Sequence, residues 1–140
     1  MNLSFRCKHK ELGCEVRVKE PLLPVTLFGK NELALNFIAI LDSGSDLILL
    51  PLEVAEELGL EYDKSKQESA TTISGDKIMT LNSKVKVAIQ KDREKQEFEC
   101  LCAVLASKEP LHENIIFGSS FFEHFKIIFD YPNNRFQIKR

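Results

Sequence analysis

At 140 residues the chain is long enough for one domain with a substantial core. Hydrophobic residues at 44% and charged ones at 29% exclude an intrinsically disordered polymer. Lys plus Arg at 19 against Asp plus Glu at 21 gives a net charge of −2 with no basic block, which excludes nucleic-acid binding through a charged face.

The opening stretch, MNLSFRCKHKELGCEV, has no unbroken apolar segment of the kind a secretory signal needs. No apolar run in the chain reaches membrane-span length, so the expected address is cytoplasmic and no membrane partner is expected. Residues 1–20 are polar and mixed, and read as an N-terminal extension without an assigned structure ahead of a domain over 21–140. Beyond them strand signals dominate. Leu22–Phe28 and residues 33–41 are apolar runs around Gly29-Lys30-Asn31-Glu32, which predicts a hairpin. Residues 47–50 predict a short buried strand.

Pro51 opens a helix, PLEVAEELGL, with Val54, Ala55 and Leu58 as its apolar stripe and Gly59 as its stop. Residues 61–69 read as polar loop. The segment TTISGDKIMT (71–80) has β-formers on both sides of Ser74-Gly75-Asp76 and predicts a hairpin with its tip at Gly75. Residues 84–90 alternate, with Val85, Val87 and Ile89 on one face, and pair with 96–105 across the charged turn KDREK. Ile115-Ile116-Phe117 is a second short buried strand ended by Gly118. Ser120-Phe121-Phe122-Glu123 fits a capping box and predicts a short helix starting there. Residues 126–131 and Arg135–Lys139 flank Pro132-Asn133-Asn134 as a closing hairpin. Many short strands with two helices mean a mainly β barrel or sandwich.

Four cysteines stand at 7, 14, 100 and 102. Neither C-x6-C nor C-x-C is a zinc-ligand spacing, so no metal site is expected. Cys100 and Cys102 share one face of a strand and read as small apolar packing residues. A Cys7–Cys14 disulfide is the stronger of the remaining alternatives.

The informative stretch is 37–51, FIAILDSGSDLILLP. Apolar residues crowd both sides of the polar island Asp42-Ser43-Gly44-Ser45-Asp46, although ionised groups without partners are costly in a core. A surface turn explains this locally, since Asp, Ser and Gly are common turn residues. The chemical alternatives thin out quickly. G-x-S-x-G is absent, His112-Glu113 lacks the second zincin histidine, and no phosphate-cradling G-x-x-x-x-G-K occurs. His9, His112 and His124 form no convincing pair with a nucleophile. What survives is a carboxylate at the end of an apolar strand. One carboxylate does little in peptide hydrolysis, whereas two sharing a proton can activate a water and protonate the leaving group. The chain holds a single Asp-Ser-Gly, so a second copy must come from a second chain.

The sequence here resembles the retropepsin-like aspartic proteases, over roughly residues 22–139 as judged from the matched strand and turn signals. Four features in order carry the resemblance: VTLFGKNELALNFIAIL leading into Asp42-Ser43-Gly44-Ser45-Asp46; LILLP and its helix; the glycine-tipped hairpin TTISGDKIMT; and IIFGSSFFEHFKIIFDYPNNRFQI. The resemblance implies a closed acid-protease-like β-barrel with two short helices, homodimeric, cleaving peptide or protein substrates without a cofactor. It implies Asp42 as the catalytic carboxylate, paired with Asp42 of a second copy. Ser43 would hydrogen-bond across the dimer, and Gly44 would allow the close approach of substrate. Ser45 and Asp46 would bind substrate, and Ser74 and Gly75 would form a flap that closes over it. Leu47, Ile73 and Ile116 would line apolar side-chain pockets.

Two positions depart from the family pattern. Ser45 stands where many retroviral members carry Ala; a hydroxyl donated to the carboxylate would favour its ionised form and predicts a more acidic activity profile than for Ser45→Ala. Ser119-Ser120 stand where retroviral members have an Arg that pairs with the counterpart of Asp46, so Asp46 lacks that ion pair. The alternative function is a non-catalytic dimerisation or peptide-binding module on the same fold.

Overall fold

The computed structural model describes residues 2–71, 77–106 and 115–140. Among these residues, twelve strands and two short α-helices organise around one principal core. Strands β4 (Leu22–Phe28) and β5 (Ala34–Leu41) form the first predicted hairpin, with Leu22 opposite Ile40 and Phe28 opposite Ala34. A 3-10 turn over Lys30–Glu32 closes it.

Strand β6 (Ile48–Leu50) begins one residue later than its apolar run suggests, and helix α1 (Leu52–Leu58) follows with Pro51 at its N-cap. Ala55 and Leu58 are its buried residues. Gly59 stops it in the left-handed region at φ 69, where glycine carries no Cβ penalty. Strand β7 (Gln67–Thr71) takes the end of the segment expected to be loop, because residues 67–71 pair in register with β8 (Lys77–Lys91). Residues 72–76, where the hairpin tip with Ile73, Ser74 and Gly75 is expected, lie outside the described residues. Strand β8 then runs into β9 (Glu94–Leu105) across the expected charged turn, and Val85, Val87 and Ile89 are buried.

The strand order β4-β5-β10-β6-β9-β8-β7, with β4 also bonded to β8, closes six strands into a barrel and leaves β7 outside the ring. Strand β10 (Ile115–Phe117) is the piece that shapes the site. It inserts between β5 and β6, parallel to the first (Phe117 opposite Leu41) and antiparallel to the second (Ile116 opposite Leu49). The short helix α2 (Ser119–Phe122) follows directly, then the hairpin β11 (Lys126–Asp130) and β12 (Arg135–Lys139).

The N-terminal residues also pair. Strand β1 (Asn2–Arg6) adds to β12 as a third strand, burying Leu3 and Phe5, and Phe5 stacks on Phe136 at 5.3 Å between ring centroids. Strands β2 (Lys8–Gly13) and β3 (Val16–Glu20) form a separate two-stranded sheet. Phe117, Phe121 and Phe136 are fully buried, each stabilising the fold by about 2–3 kcal/mol from the apolar area removed from water. Phe98, Phe117, Phe121 and Phe125 form a connected ring cluster that seats α2 against β9 and β10. No helix among the described residues is long and apolar enough to cross a membrane.

The Cys7–Cys14 disulfide is not formed. All four cysteines are free: Cys7, Cys100 and Cys102 are buried and Cys14 is exposed. Cys7 sits in the core at 3% exposure, while Cys14 occupies the turn between β2 and β3. Burial pushes the Cys100 and Cys102 thiols up to about 12 and raises Cys7 as well. The thiolate is the reactive form, so a thiol titration of the folded protein at mildly alkaline pH should count one fast group, Cys14, against four in denaturant. A second fast thiol in the folded state would contradict this packing.

Candidate active site

The polar island forms the connection from β5 to β6, and its backbone is held from both sides. The chain leaves the barrel at Leu41, which is 4% exposed. The Asp42 N–H donates to the Phe117 carbonyl at 2.9 Å, extending the β5–β10 ladder by one bond. The Gly44 N–H donates to Asp42 Oδ1 at 2.9 Å, and the Ser45 N–H donates to the Asp42 carbonyl at 3.1 Å. Together these close the turn on its own aspartate. Asp42, Ser43, Gly44 and Asp46 are exposed, whereas Ser45 and Leu47 are half-buried.

The start of α2 holds the other side. The Ser119 N–H donates to the Ser45 carbonyl at 2.8 Å, and the Ser120 N–H donates to the Asp46 carbonyl at 3.0 Å. These amides lie in the first helical turn and lack partners within the helix, so the acidic turn satisfies them. Gly118 makes the approach possible. A Cβ on it would stand 2.2 Å from the Ser45 carbonyl oxygen and 2.8 Å from that of Leu47. No other residue fits there.

Ser120 does not start the helix as a capping residue. The helix begins at Ser119 with Gly118 at the N-cap, and no side chain caps it. The Ser120 hydroxyl instead accepts from the Ile48 N–H at 3.0 Å and donates to the Leu101 carbonyl at 2.9 Å, at 8% exposure. It thereby clamps the first residue of β6 to β9. This role was missed in the sequence because S-x-x-E matches a cap pattern, and nothing local reveals that a third element offers both partners. Ser120→Ala should cost about 1–3 kcal/mol by leaving a buried donor and acceptor unpaired. Chemical denaturation would register this as a lower midpoint, and an unchanged midpoint would contradict the clamp.

The Ser45 hydroxyl donates to the Leu47 carbonyl at 2.9 Å and not to the Asp42 carboxylate. A hydroxyl has one proton to give. The premise for a more acidic profile than Ser45→Ala therefore falls. Asp46 makes no ion pair among the described residues, in line with the absence of the retroviral arginine. Ser43 has no hydroxyl partner among the described residues and is exposed, as is Asp42. Leu47 and Ile116 are half-buried beside the turn, His124 packs against Phe98 at 5.1 Å, and Ser74, Gly75 and His112 lie outside the described residues. A concavity of about 380 Å³ among the described residues lies between β1, Lys91 and residues 133–135. None of its lining comes from residues 42–46.

Residues 23–121 match the aspartyl protease family, a span that takes in the barrel from the second residue of β4 onward and the acidic turn. The chain belongs to that family. Among solved structures, a retropepsin-like aspartic protease from Rickettsia conorii is similar to this aspartyl protease with a TM-score of 0.61. The likeness covers 99% of this chain and 90% of that one at 18% sequence identity, which establishes a shared fold. No curated protein matches the sequence. The protease thus has the closed, mainly β fold expected of a retropepsin-like peptidase, with the acidic turn of the polar island at its surface.

Proposed function

We propose that this aspartyl protease is an endopeptidase that works as a homodimer, with the Asp42 carboxylates of two copies facing each other across a twofold axis. The observation that carries the reading is the lone Asp-Ser-Gly turn: its backbone is fastened on both sides, yet Asp42 stands exposed in the single chain. A site built this rigidly and left open is half of a cleft.

Two like carboxylates brought together cannot both ionise, and the aspartic protease dyad is the standard case of this effect. The ionised Asp42 takes a proton from a water, whose oxygen attacks the peptide carbonyl carbon. The protonated Asp42 gives its proton to the carbonyl oxygen. Proton transfer to the amide nitrogen then lets the carbon–nitrogen bond break. Gly44 serves the first carboxylate directly, because its N–H keeps Oδ1 oriented. Ser43, exposed and without a hydroxyl partner among the described residues, is the residue placed to bond across the axis. Ser45 and Asp46 border the cleft and contact the substrate backbone, and Ser74 with Gly75 forms the flap that closes over an extended peptide bound as an added strand. Residues 21–140 make up the protease domain and residues 1–20 an extension to it. A cytoplasmic address belongs to the same reading, and the four free cysteines support it.

The test is cleavage of an unbiased peptide library from acid to neutral pH, with and without a statine-type transition-state mimic. Cleavage that the mimic blocks supports the reading. No cleavage at any pH by a chain shown to be dimeric would favour a binding module instead.

A further inference from the structure

The hairpin of β2 and β3 has no core of its own. All six residues of β2 are exposed, and no residue of β3 is buried. A two-stranded sheet of this kind is marginal in water unless something packs on it. Its base is nonetheless firmly set. The Cys7 N–H donates to the Asn134 carbonyl, the Lys19 ammonium reaches the Tyr131 carbonyl, and the Pro21 carbonyl accepts from the Leu41 N–H. That last bond fixes where the hairpin emerges: beside the final residue of β5, immediately before Asp42.

One face of this arm carries an apolar patch near its turn. Val16 and Val18 alternate onto the same side of β3, at 49% and 37% exposure, and Leu12 stands in the bulge at 58%. Lys10 lies across from Val18 on that face, and Lys8 with Glu20 follows toward the base, where Lys10 and Glu20 pair at 3.7 Å. Leu12, Val16 and Val18 are among the eight large apolar side chains exposed across the described residues, so the hairpin concentrates what the rest of the surface scatters. The opposite face carries His9, Glu11, Arg17 and Lys19, with an ion pair between Arg17 and Glu11 at 3.0 Å. The family match begins at residue 23, so the hairpin lies outside the matched span.

We infer that the β2–β3 hairpin is an arm that clasps the second copy of this chain, seating Leu12, Val16 and Val18 against it. The inference rests on the homodimer reading above. On that reading the acidic turn is incomplete without a second copy, and the hairpin is rooted at Pro21, which bonds the residue before Asp42, so a second copy that completes the site comes close to the arm. The 42–46 turn alone is far too small for a stable interface, which needs about 800 Å² from each partner. An apolar arm beside it supplies part of that area.

The experiment is sedimentation equilibrium on the full chain, with Val16→Lys/Val18→Lys compared to wild type and to Arg17→Ala on the opposite face. The double substitution should raise the dimer dissociation constant at least about tenfold, equivalent to about 1.4 kcal/mol. Arg17→Ala should leave it unchanged, and circular dichroism should show all three chains equally folded, since the substituted side chains are exposed. A wild-type dimer indifferent to the double substitution, or weakened as much by Arg17→Ala, overturns the arm and leaves the protease reading intact. A wild-type chain that is monomeric at every concentration overturns the homodimer and the arm together.

Discussion

Asp42→Asn should lower kcat/KM for peptide cleavage by about 10³-fold or more and leave the melting temperature where it was. The two halves of that expectation rest on different atoms. Asparagine cannot shuttle a proton, so neither the attacking water nor the carbonyl oxygen is served. Its side-chain oxygen can still accept the Gly44 N–H that now bonds Asp42 Oδ1 at 2.9 Å, so the turn keeps its shape. Asp42 is exposed in the single chain, and the substitution opens no cavity there. Loss of activity together with loss of fold would mean that Asp42 is structural, and full activity would end the catalytic assignment.

The same variant tests whether the site is shared. In an equal mixture with unsubstituted chain, after subunit exchange, about a quarter of the dimers carry two Asp42 residues. Activity per total chain should then settle near that fraction. A chain that cleaved peptides on its own would retain about half. The mixing curve separates a site on a symmetry axis from one contained in a single barrel.

How much of this was legible in the sequence depends on the range of the interactions. The hairpin of β4 and β5, helix α1, the long β8–β9 pair and the closing hairpin are local, so turn residues and alternating apolar positions announce them. The acidic turn was legible because polar residues interrupt an apolar run, which marks a turn at the end of a buried strand. The insertion of β10 between two strands that are neighbours in sequence was not legible, since Ile115-Ile116-Phe117 says only that it is buried. The Ser120 clamp depends on that same long-range arrangement. Strand β1 was hidden differently: Leu3 and Phe5 alternate with polar residues in NLSFR, but two apolar positions are too few to stand out from a polar segment. The spacing of Cys7 and Cys14 suggested a bond that the fold prevents by burying one sulfur and exposing the other.

Gly118→Ala tests whether the acidic turn depends on its contact with the start of α2. The backbone of Gly118 is extended at φ −112 and ψ −151, a conformation any residue adopts, so space and not strain decides the outcome. The added methyl would lie 2.2 Å from the Ser45 carbonyl oxygen and 2.6 Å from its carbon. Both are backbone atoms, and neither can swing aside as a side chain could. The turn must therefore move away from α2, breaking the bonds from the Ser119 and Ser120 amides and dragging Asp42 with it. A cost of about 4 kcal/mol or more is expected, at the upper end of single substitutions. Gly29→Ala is the matched control. Its methyl would meet the Leu58 carbonyl oxygen at the same 2.2 Å, but it lies at the opposite end of β4 from the acidic turn. Both variants should lose stability by comparable amounts in chemical denaturation. Under conditions where each remains folded, Gly29→Ala should retain its kcat, whereas Gly118→Ala should lose most of it because the carboxylates no longer meet. Equal loss of kcat in the two variants would show that activity follows global stability, and that the Gly118 contact does not specifically hold Asp42 in place.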